Sequence, residues 1–133
     1  MSSPSPVAKK LGIKPNMRAV VLNAPEGTLD ALTPLPDGAS VDTTEGVRAD
    51  VVVLFTHDAA EVDTWLPRAI AAGTDRRLLW IAYPKGGKKA GTDLNRDILW
   101  AQVGKSDLVG VTLVAFDDRW SAMRFRPADE VGS

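Results

Sequence analysis

The chain has 133 residues, of which 44% are hydrophobic and 25% charged, and its formal net charge is −1. This length and composition suit one domain with a single buried core. The small net charge provides no global attraction to nucleic acid or to an anionic membrane, so we expect no nucleic-acid partner. The chain has no cysteine, which excludes disulfides, thiolate catalysis and cysteine zinc sites, and with one histidine, His57, we predict no metal site.

The first ten residues, MSSPSPVAKK, contain no apolar run of the kind found in a signal peptide. No stretch of about 18 apolar residues predicts a membrane span either, so we expect a cytoplasmic protein without a membrane partner. Serine and proline dominate the start of the chain and favour no regular structure. The sequence therefore predicts flexible tails over residues 1–10 and 128–133 and a single domain over residues 11–127.

Short apolar segments predict the strands of the fold. Three of them lack alternation between apolar and polar residues, which is typical of strands covered on both faces; they are RAVVLN at 18–23, DVVVLF at 50–55 and LLWIAY at 78–83. Residues 39–43 predict a brief edge strand in which only Val41 points inward. The last two segments, 109–116 and 122–125, predict an antiparallel hairpin with a short charged loop.

Helices are predicted between these strands. Pro25 suits the first position of a short helix that ends before Pro34. Asp58 and Glu61 have the spacing of a capping box for a second helix, which Gly73 closes. The apolar residues that face inward on these two helices are Leu29 and Leu32 on the first and Val62, Trp65, Leu66, Ala69 and Ile70 on the second.

A third helix follows a loop rich in lysine and glycine. Thr92 is a suitable cap for a helix that begins at Asp93 and ends at Gly104. Leu94, Ile98 and Ala101 recur at helical spacing and should face the core. Trp100 lies off that face, so we expect it to be exposed and to mark a contact surface.

The alternation of strands and helices predicts an α/β fold, a Rossmann-like three-layer sandwich whose mostly parallel sheet ends in an antiparallel hairpin. Right-handed crossovers should place the three apolar strands side by side. This arrangement resembles S-adenosylmethionine-dependent methyltransferases with one βα unit missing. The resemblance implies a cofactor at the turn after the first strand, but that turn, NAPEG at 23–27, has one glycine and a proline. The pattern G-x-G-x-x-G is also absent, so the sequence does not favour the usual mode of cofactor binding and the cofactor stays unknown.

Three further motifs are found across most of the chain: LGIKPNM at 11–17, LLWIAYPK at 78–85 and WSAMR at 120–124. With a Thr92-Asp93 helix start between the last two, they resemble an uncharacterised bacterial family, domain of unknown function 3052. That family has no established activity. The resemblance therefore implies a fold and a bacterial source, but no reaction.

The loop after the third apolar strand is the first candidate site. Lysines there supply positive charge, glycines let backbone amides turn toward a ligand, and a following helix N-terminus favours an anion. The residues that would form this anion site are Lys85, Gly86, Gly87, Lys88, Lys89, Thr92 and Asp93. Tyr83, which ends the preceding strand, lies with Lys85 one strand away from the second candidate site. The pattern is not the G-x-x-x-x-G-K-[ST] phosphate loop, so a solvated connector is the alternative.

The second candidate site lies where the order of the strands should reverse, because ligands of open α/β sheets bind outside the carboxyl ends of the strands at that point. Asn23 and Glu26 follow the first apolar strand, and Thr56, His57 and Asp58 follow the second. His57 beside Glu26 could act as a general base. A lone histidine before a helix is also commonly an ordinary surface residue, so no catalytic residue is assigned.

Three functions remain open on the sequence. The first is a Rossmann-like module that binds a small anionic or nucleotide-like ligand. The second is an interaction protein that forms a homodimer or joins a partner through a helix face or a sheet edge. The third is a divergent methyltransferase-like enzyme.

Overall fold

The computed structural model describes residues 5–25, 27–43 and 48–127; of residues 74–77, 88 and 90 it describes the backbone alone. The strands in this part of the chain are β1 (Arg18–Leu22), β2 (Ser40–Asp42), β3 (Ala49–Phe55), β4 (Gly73–Pro84), β5 (Leu108–Ala115) and β6 (Trp120–Pro127). The helices are α1 (Pro6–Leu11), α2 (Ala59–Ala72) and α3 (Arg96–Gly104), with 3-10 helices at Thr28–Leu32 and Gly87–Ala90.

The strands form one six-stranded sheet in the order β2-β1-β3-β4-β6-β5. The first four strands of that order pair in parallel, whereas β6 pairs antiparallel with both β4 and β5. The prediction of three parallel neighbours with an antiparallel hairpin at one end is confirmed. The brief edge strand predicted over 39–43 is β2, which pairs with β1 at the outer edge of the sheet.

The central strands β1, β3 and β4 are buried on both faces, as their continuous apolar sequences predicted, because successive side chains of a strand point to opposite faces. On one face, Leu54 and Ile81 belong to a hydrophobic cluster with residues of α2 and α3. On the other face, Val53 and Trp80 belong to a second cluster with residues of α1 and of the 3-10 helix Thr28–Leu32. The three layers of the predicted α/β sandwich are therefore present.

Helix α1 corrects the prediction of a flexible tail over residues 1–10. The Ser5 hydroxyl caps the helix by accepting the amides of Val7 and Ala8, and Ala8 is fully buried. The indole Nε1 of Trp80 donates a hydrogen bond of 2.9 Å to the carbonyl of Leu11. Serine and proline at the start of the chain thus act as a cap and a first helical residue, and packing against the sheet supplies the stability that the short helix lacks alone.

Residues 1–4 of the predicted N-terminal tail and the whole of the predicted tail over 128–133 lie outside the described residues.

The short helix predicted from Pro25 begins later in the structure and is of another type. The segment forms a 3-10 helix from Thr28, in which Leu32 is buried and Leu29 is 39% exposed.

Helix α3 begins three residues later than predicted, and it turns a different face to the core. Asn95 rather than Thr92 is its cap, because the Asn95 side chain accepts the amide of Ile98 at 2.8 Å. Leu99 and Val103 are buried, whereas Ile98 and Ala101, which were expected to face inward, are exposed. Trp100 is 44% exposed, as predicted from its position off the apolar face. The prediction placed Leu94 on the helix and chose the residues that share its face. Because Leu94 lies before the helix, its buried position does not determine which helical face packs on the core.

Candidate functional site

The candidate residues lie at the carboxyl ends of the parallel strands. The chain leaves β1 at Asn23, β3 at Thr56 and β4 at Lys85, and these strands are neighbours in the sheet. The strand order reverses between β1 and β3, since β1 continues to β2 on one side and the chain then returns to β3 on the other. This is the position at which open α/β sheets bind ligands.

A cleft of about 440 Å³ opens beside the end of β1. Its polar lining residues are Asn23, Asp30 and Thr43, and no lysine or arginine is found among the described residues that line it. The Asn23 amide is already engaged, because its Nδ2 donates to the carbonyl of Phe55 at 2.9 Å and to Glu61 at 3.1 Å. This first cleft therefore offers a neutral to acidic surface. Glu26, which was predicted to belong to this site, lies outside the described residues.

His57 is paired with a different carboxylate from the one predicted. Its Nδ1 lies 2.8 Å from Oε1 of Glu61, which also accepts the backbone amide of His57 at 2.7 Å. Partial burial raises the pKa of the Glu61 carboxyl, but the hydrogen bonds from His57 and from Asn23 outweigh that effect and hold the pKa below its usual value. Glu61 is therefore a carboxylate at neutral pH, and it carries three hydrogen bonds.

A second cleft, of about 280 Å³, lies on the α3 side of the sheet at the end of β4. Tyr83 of β4 pairs with Ser121 of β6 in the antiparallel register, and both residues line this cleft. Burial raises the pKa of the Tyr83 hydroxyl, and a hydrogen bond with Ser121 offsets part of that rise. Lys85 and Arg96 line the same cleft, so two cationic side chains stand beside two hydroxyl groups.

The lysine- and glycine-rich loop closes this second cleft from one side. Gly86 and Gly87 line the cleft and have φ values of 94° and 54°, in a backbone region that residues other than glycine rarely adopt. The amide of Lys85 donates to the carbonyl of Arg119 at 2.9 Å, which ties the start of the loop to the hairpin. Lys89 is exposed, and the side chain of Lys88 lies outside the described part of the structure.

Thr92 and Asp93 have structural partners instead of facing the cleft. Thr92 is buried, and its hydroxyl accepts the amide of Leu94 at 3.0 Å. Oδ1 of Asp93 accepts the amide of Ala59 at 2.8 Å, so this carboxylate occupies the N-terminus of α2. The prediction that a helix begins at Asp93 is therefore wrong, because α3 begins at Arg96.

The structure thus separates the predicted residues. Tyr83, Lys85, Gly86 and Gly87 share the second cleft, whereas Asn23 lines the first. His57 lies against the ring of Trp120, with 5.3 Å between the ring centroids.

The sequence analysis did not predict four residues that line the second cleft or contact His57: Glu61, Arg96, Trp120 and Ser121. The spacing of four residues between His57 and Glu61 on a helix start could have revealed that pair. No local signal could have revealed the other three, because the register of β6 against β4 positions Trp120 and Ser121 and the true start of α3 positions Arg96.

Neither a metal-binding cluster nor a membrane-spanning helix is found in the described part of the chain. No three or more histidine, aspartate or glutamate side chains there are grouped so that they could hold a metal ion. None of the helices among residues 5–25, 27–43 and 48–127 has the length and apolar character needed to cross a bilayer.

Comparison with known proteins finds similarity in structure but not in sequence. No protein-family model matches the chain. No curated protein matches it either.

Several solved methyltransferases share the fold. DhpI in its complex with SAM and HEP has a TM-score of 0.58 at 11% identity, over 92% of this chain and 85% of DhpI. The ribosomal protein L11 methylase of Lactobacillus delbrueckii subsp. bulgaricus has a TM-score of 0.55 at 8% identity, over 91% of this chain and 74% of the methylase. The B. subtilis tRNA methyltransferase TrmK has a TM-score of 0.50 at 10% identity, over 91% of this chain and 63% of TrmK. At these identities the similarity shows the fold alone, and the chain therefore has the Rossmann-like fold of SAM-dependent methyltransferases.

Proposed function

We propose that this protein is a Rossmann-like module that binds a small anionic or nucleotide-like ligand at the carboxyl ends of its strands. The observation that carries the proposal is the second cleft, where Lys85 and Arg96 stand beside the hydroxyls of Tyr83 and Ser121. Cationic side chains attract an anion, and hydroxyl groups can donate hydrogen bonds to its oxygens. The combination supports an anionic group rather than a cation or an apolar ligand.

The sizes of the two clefts support a ligand with an anionic part and a larger neutral part. About 280 Å³ suits a phosphate or carboxylate with a short attachment, since drug-sized ligands occupy about 300–1,000 Å³. The first cleft, of about 440 Å³, lies at the same edge of the sheet, and its walls are apolar apart from Asn23, Asp30 and Thr43. A base or sugar would suit that lining better than the cationic cleft.

The cleft is accessible to an incoming anion. The Nε of Arg96 lies 3.3 Å from Oδ1 of Asp97, and these two side chains are 61% and 82% exposed. An ion pair that is so exposed contributes little, about 0–1 kcal/mol, so a ligand can replace it at low cost. Lys85 is half-buried at the cleft wall, and we expect it to contribute more than the exposed Lys89.

Thermal-shift and calorimetric titrations with inorganic phosphate, AMP, ATP and S-adenosylmethionine test the proposal, because a ligand that binds only the native state raises its stability. We expect Lys85→Ala and Arg96→Ala each to weaken binding of a stabilising anion about tenfold at low salt, and less at high salt. Lys105→Ala is the matched control, since Lys105 is an exposed lysine at the opposite end of α3. If none of the four compounds binds, or if the cleft variants bind like the control, the proposal is wrong.

The fold neighbours favour a second candidate, a divergent methyltransferase-like enzyme. DhpI binds SAM on a similar fold. The turn after β1 argues against the same mode of binding here, because its sequence has one glycine and Asn23 is already bonded to the end of β3. We therefore expect no tight binding of S-adenosylmethionine, and a micromolar dissociation constant in calorimetry would favour the enzyme instead.

Exposed apolar side chains keep the interaction protein as a third candidate. Ile98 and Trp100 on α3 are each 44% exposed, and Leu113 on the edge strand β5 is 46% exposed. Isolated exposed apolar residues are common, so this observation is weaker than the cleft. A dimeric mass in light scattering that Trp100→Ser converts to a monomeric mass would support a homodimer through α3.

The motifs described above also support membership of the family known as domain of unknown function 3052 and, with it, a bacterial source; a cytoplasmic location is proposed separately from these motifs. This part of the proposal concerns relationship rather than chemistry. An alignment of that family in which Trp80 and Trp120 occupy equivalent positions would support it, and an alignment without them would contradict it.

A further inference from the structure

His57 and Glu61 form a hydrogen-bonded pair at the point where the strand order reverses. Nδ1 of His57 lies 2.8 Å from Oε1 of Glu61. A carboxylate oxygen can only accept a hydrogen bond, so Nδ1 must carry the proton in this pair. In the neutral imidazole the other nitrogen, Nε2, then holds a free lone pair.

Glu61 is itself held in place, so the pair has a defined geometry. Oε1 of Glu61 also accepts the backbone amide of His57 at 2.7 Å and Nδ2 of Asn23 at 3.1 Å. Its pKa lies below the usual value even though partial burial opposes ionisation. The carboxylate therefore stays ionised at neutral pH, where it can orient the imidazole and stabilise an imidazolium.

Aromatic packing fixes the plane of the imidazole from another side. The rings of His57 and Trp120 meet edge to face at 5.3 Å and 81°. Trp120 packs in turn against Phe55 at 5.0 Å, inside the second hydrophobic cluster. The side chain of His57 is still 53% exposed, so the ring is oriented by its neighbours and remains accessible.

We propose that His57 is a proton acceptor at the carboxyl end of β3, with Glu61 as its positioning residue and an O–H or N–H group of a ligand bound at this edge of the sheet as the proton donor. The proposal rests on the proposed function for the presence of a ligand at this edge of the sheet. In the step, the X–H bond of the ligand breaks, its electron pair stays on X, and a new N–H bond forms at Nε2. Glu61 remains ionised throughout and faces the imidazolium.

The first test is the tautomer of His57, and it requires no ligand. His57 is the only histidine, so its ring signals in ¹⁵N-resolved NMR are unambiguous. The measurement is made on the neutral form of the ring, because only that form has two distinct tautomers. We expect the proton on Nδ1 in the wild type and a shift toward the Nε2–H form in Glu61→Gln. Asp63→Asn is the matched control, because Asp63 is on the same helix but bonds Gln102 at 2.8 Å.

The second test measures whether the free nitrogen reacts. p-Nitrophenyl acetate reports on such an imidazole: Nε2 attacks the ester carbonyl, p-nitrophenolate leaves with the bonding pair, and water then hydrolyses the acetyl-imidazole. His57→Gln gives the background from amines. We expect the wild type to exceed that background, and Glu61→Gln to lower the His57-dependent rate about tenfold, the factor expected for losing a hydrogen bond to a charged group.

The outcomes separate this inference from the proposed function. An Nδ1–H tautomer with an ester-cleavage rate that depends on both residues supports the pair even if phosphate and nucleotides fail to bind. A wild-type Nε2–H tautomer, or a rate unchanged in His57→Gln, overturns it even if the second cleft binds anions. If Asp63→Asn lowers the rate as much as Glu61→Gln, the effect is one of helix charge and Glu61 is not a positioning residue.

Discussion

The hydrogen bond between Trp80 and α1 predicts a measurable loss of stability in Trp80→Phe. Trp80 is 2% exposed, and its Nε1 donates to the Leu11 carbonyl at 2.9 Å. Phenylalanine leaves that carbonyl without its indole donor in the core, which costs about 1–3 kcal/mol. The smaller ring also buries roughly 40 Å² less apolar surface, or about 1 kcal/mol more.

The expected loss in the free energy of unfolding is therefore about 2–4 kcal/mol. For a chain of this length each kcal/mol lowers Tm by about 3–5 °C, so Tm should fall by roughly 10 °C. Urea unfolding followed by far-ultraviolet circular dichroism measures the difference. Trp100→Phe is the matched control, since Trp100 is 44% exposed on α3 and its substitution should change stability by less than about 0.5 kcal/mol. A loss in Trp80→Phe no larger than in Trp100→Phe would refute the reasoning that α1 is anchored to the sheet.

Further predictions concern backbone strain and ionisation. Gly12 has a φ of 82°, and a Cβ there would lie 2.5 Å from the side chain of Leu78. Gly12→Ala should therefore destabilise the protein by more than about 1 kcal/mol in urea unfolding. Gly104→Ala is the control and should not destabilise it, because Gly104 is helical and a Cβ there would meet open space. The pKa of Tyr83 is raised by burial, so the absorbance at 295 nm of this single tyrosine should titrate above pH 10.0. The contribution of Tyr83 to stability should be complete below that pH and should be lost as pH rises through the folded-state pKa. The pKa of Glu61 is lowered by hydrogen bonds that outweigh its partial burial, so its contribution to stability is present above pH 4.5 and is lost as pH falls through the folded-state pKa. The difference in unfolding free energy between the wild type and Glu61→Gln should accordingly shrink in acid, and a constant difference between pH 3 and 7 would contradict this assignment.

The sequence by itself determined the features that depend on neighbouring residues. The apolar run at 50–55 predicted β3 because a strand without polar positions is stable only when covered on both faces. Asp58 predicted the start of α2 because its short side chain can reach the amide of Glu61, as it does at 2.9 Å. The alternation of such elements, with handed crossovers, was sufficient to predict the order of the parallel strands and the terminal hairpin.

The tertiary structure decided where helices form when the local sequence allowed more than one possibility. Both Thr92 and Asn95 are suitable helix caps, and α3 begins after Asn95 while Asp93 binds the start of α2 and Leu94 is buried. Helix α1 shows the same dependence, because a short segment rich in serine and proline has no stability of its own and becomes a helix only where the sheet provides a surface and Trp80 a donor.

The candidate site depends on contacts of the same long-range kind. Tyr83 and Ser121 are 38 positions apart and meet because β6 pairs with β4 in one register, and Trp120 reaches His57 through the same pairing. A shift of one residue in that register would turn both β6 side chains to the opposite faces of the sheet. Local sequence thus determined which residues follow the strands, whereas strand register and helix packing decided which of those residues meet. The reason is that burial and strand pairing stabilise the protein only when distant segments are in contact.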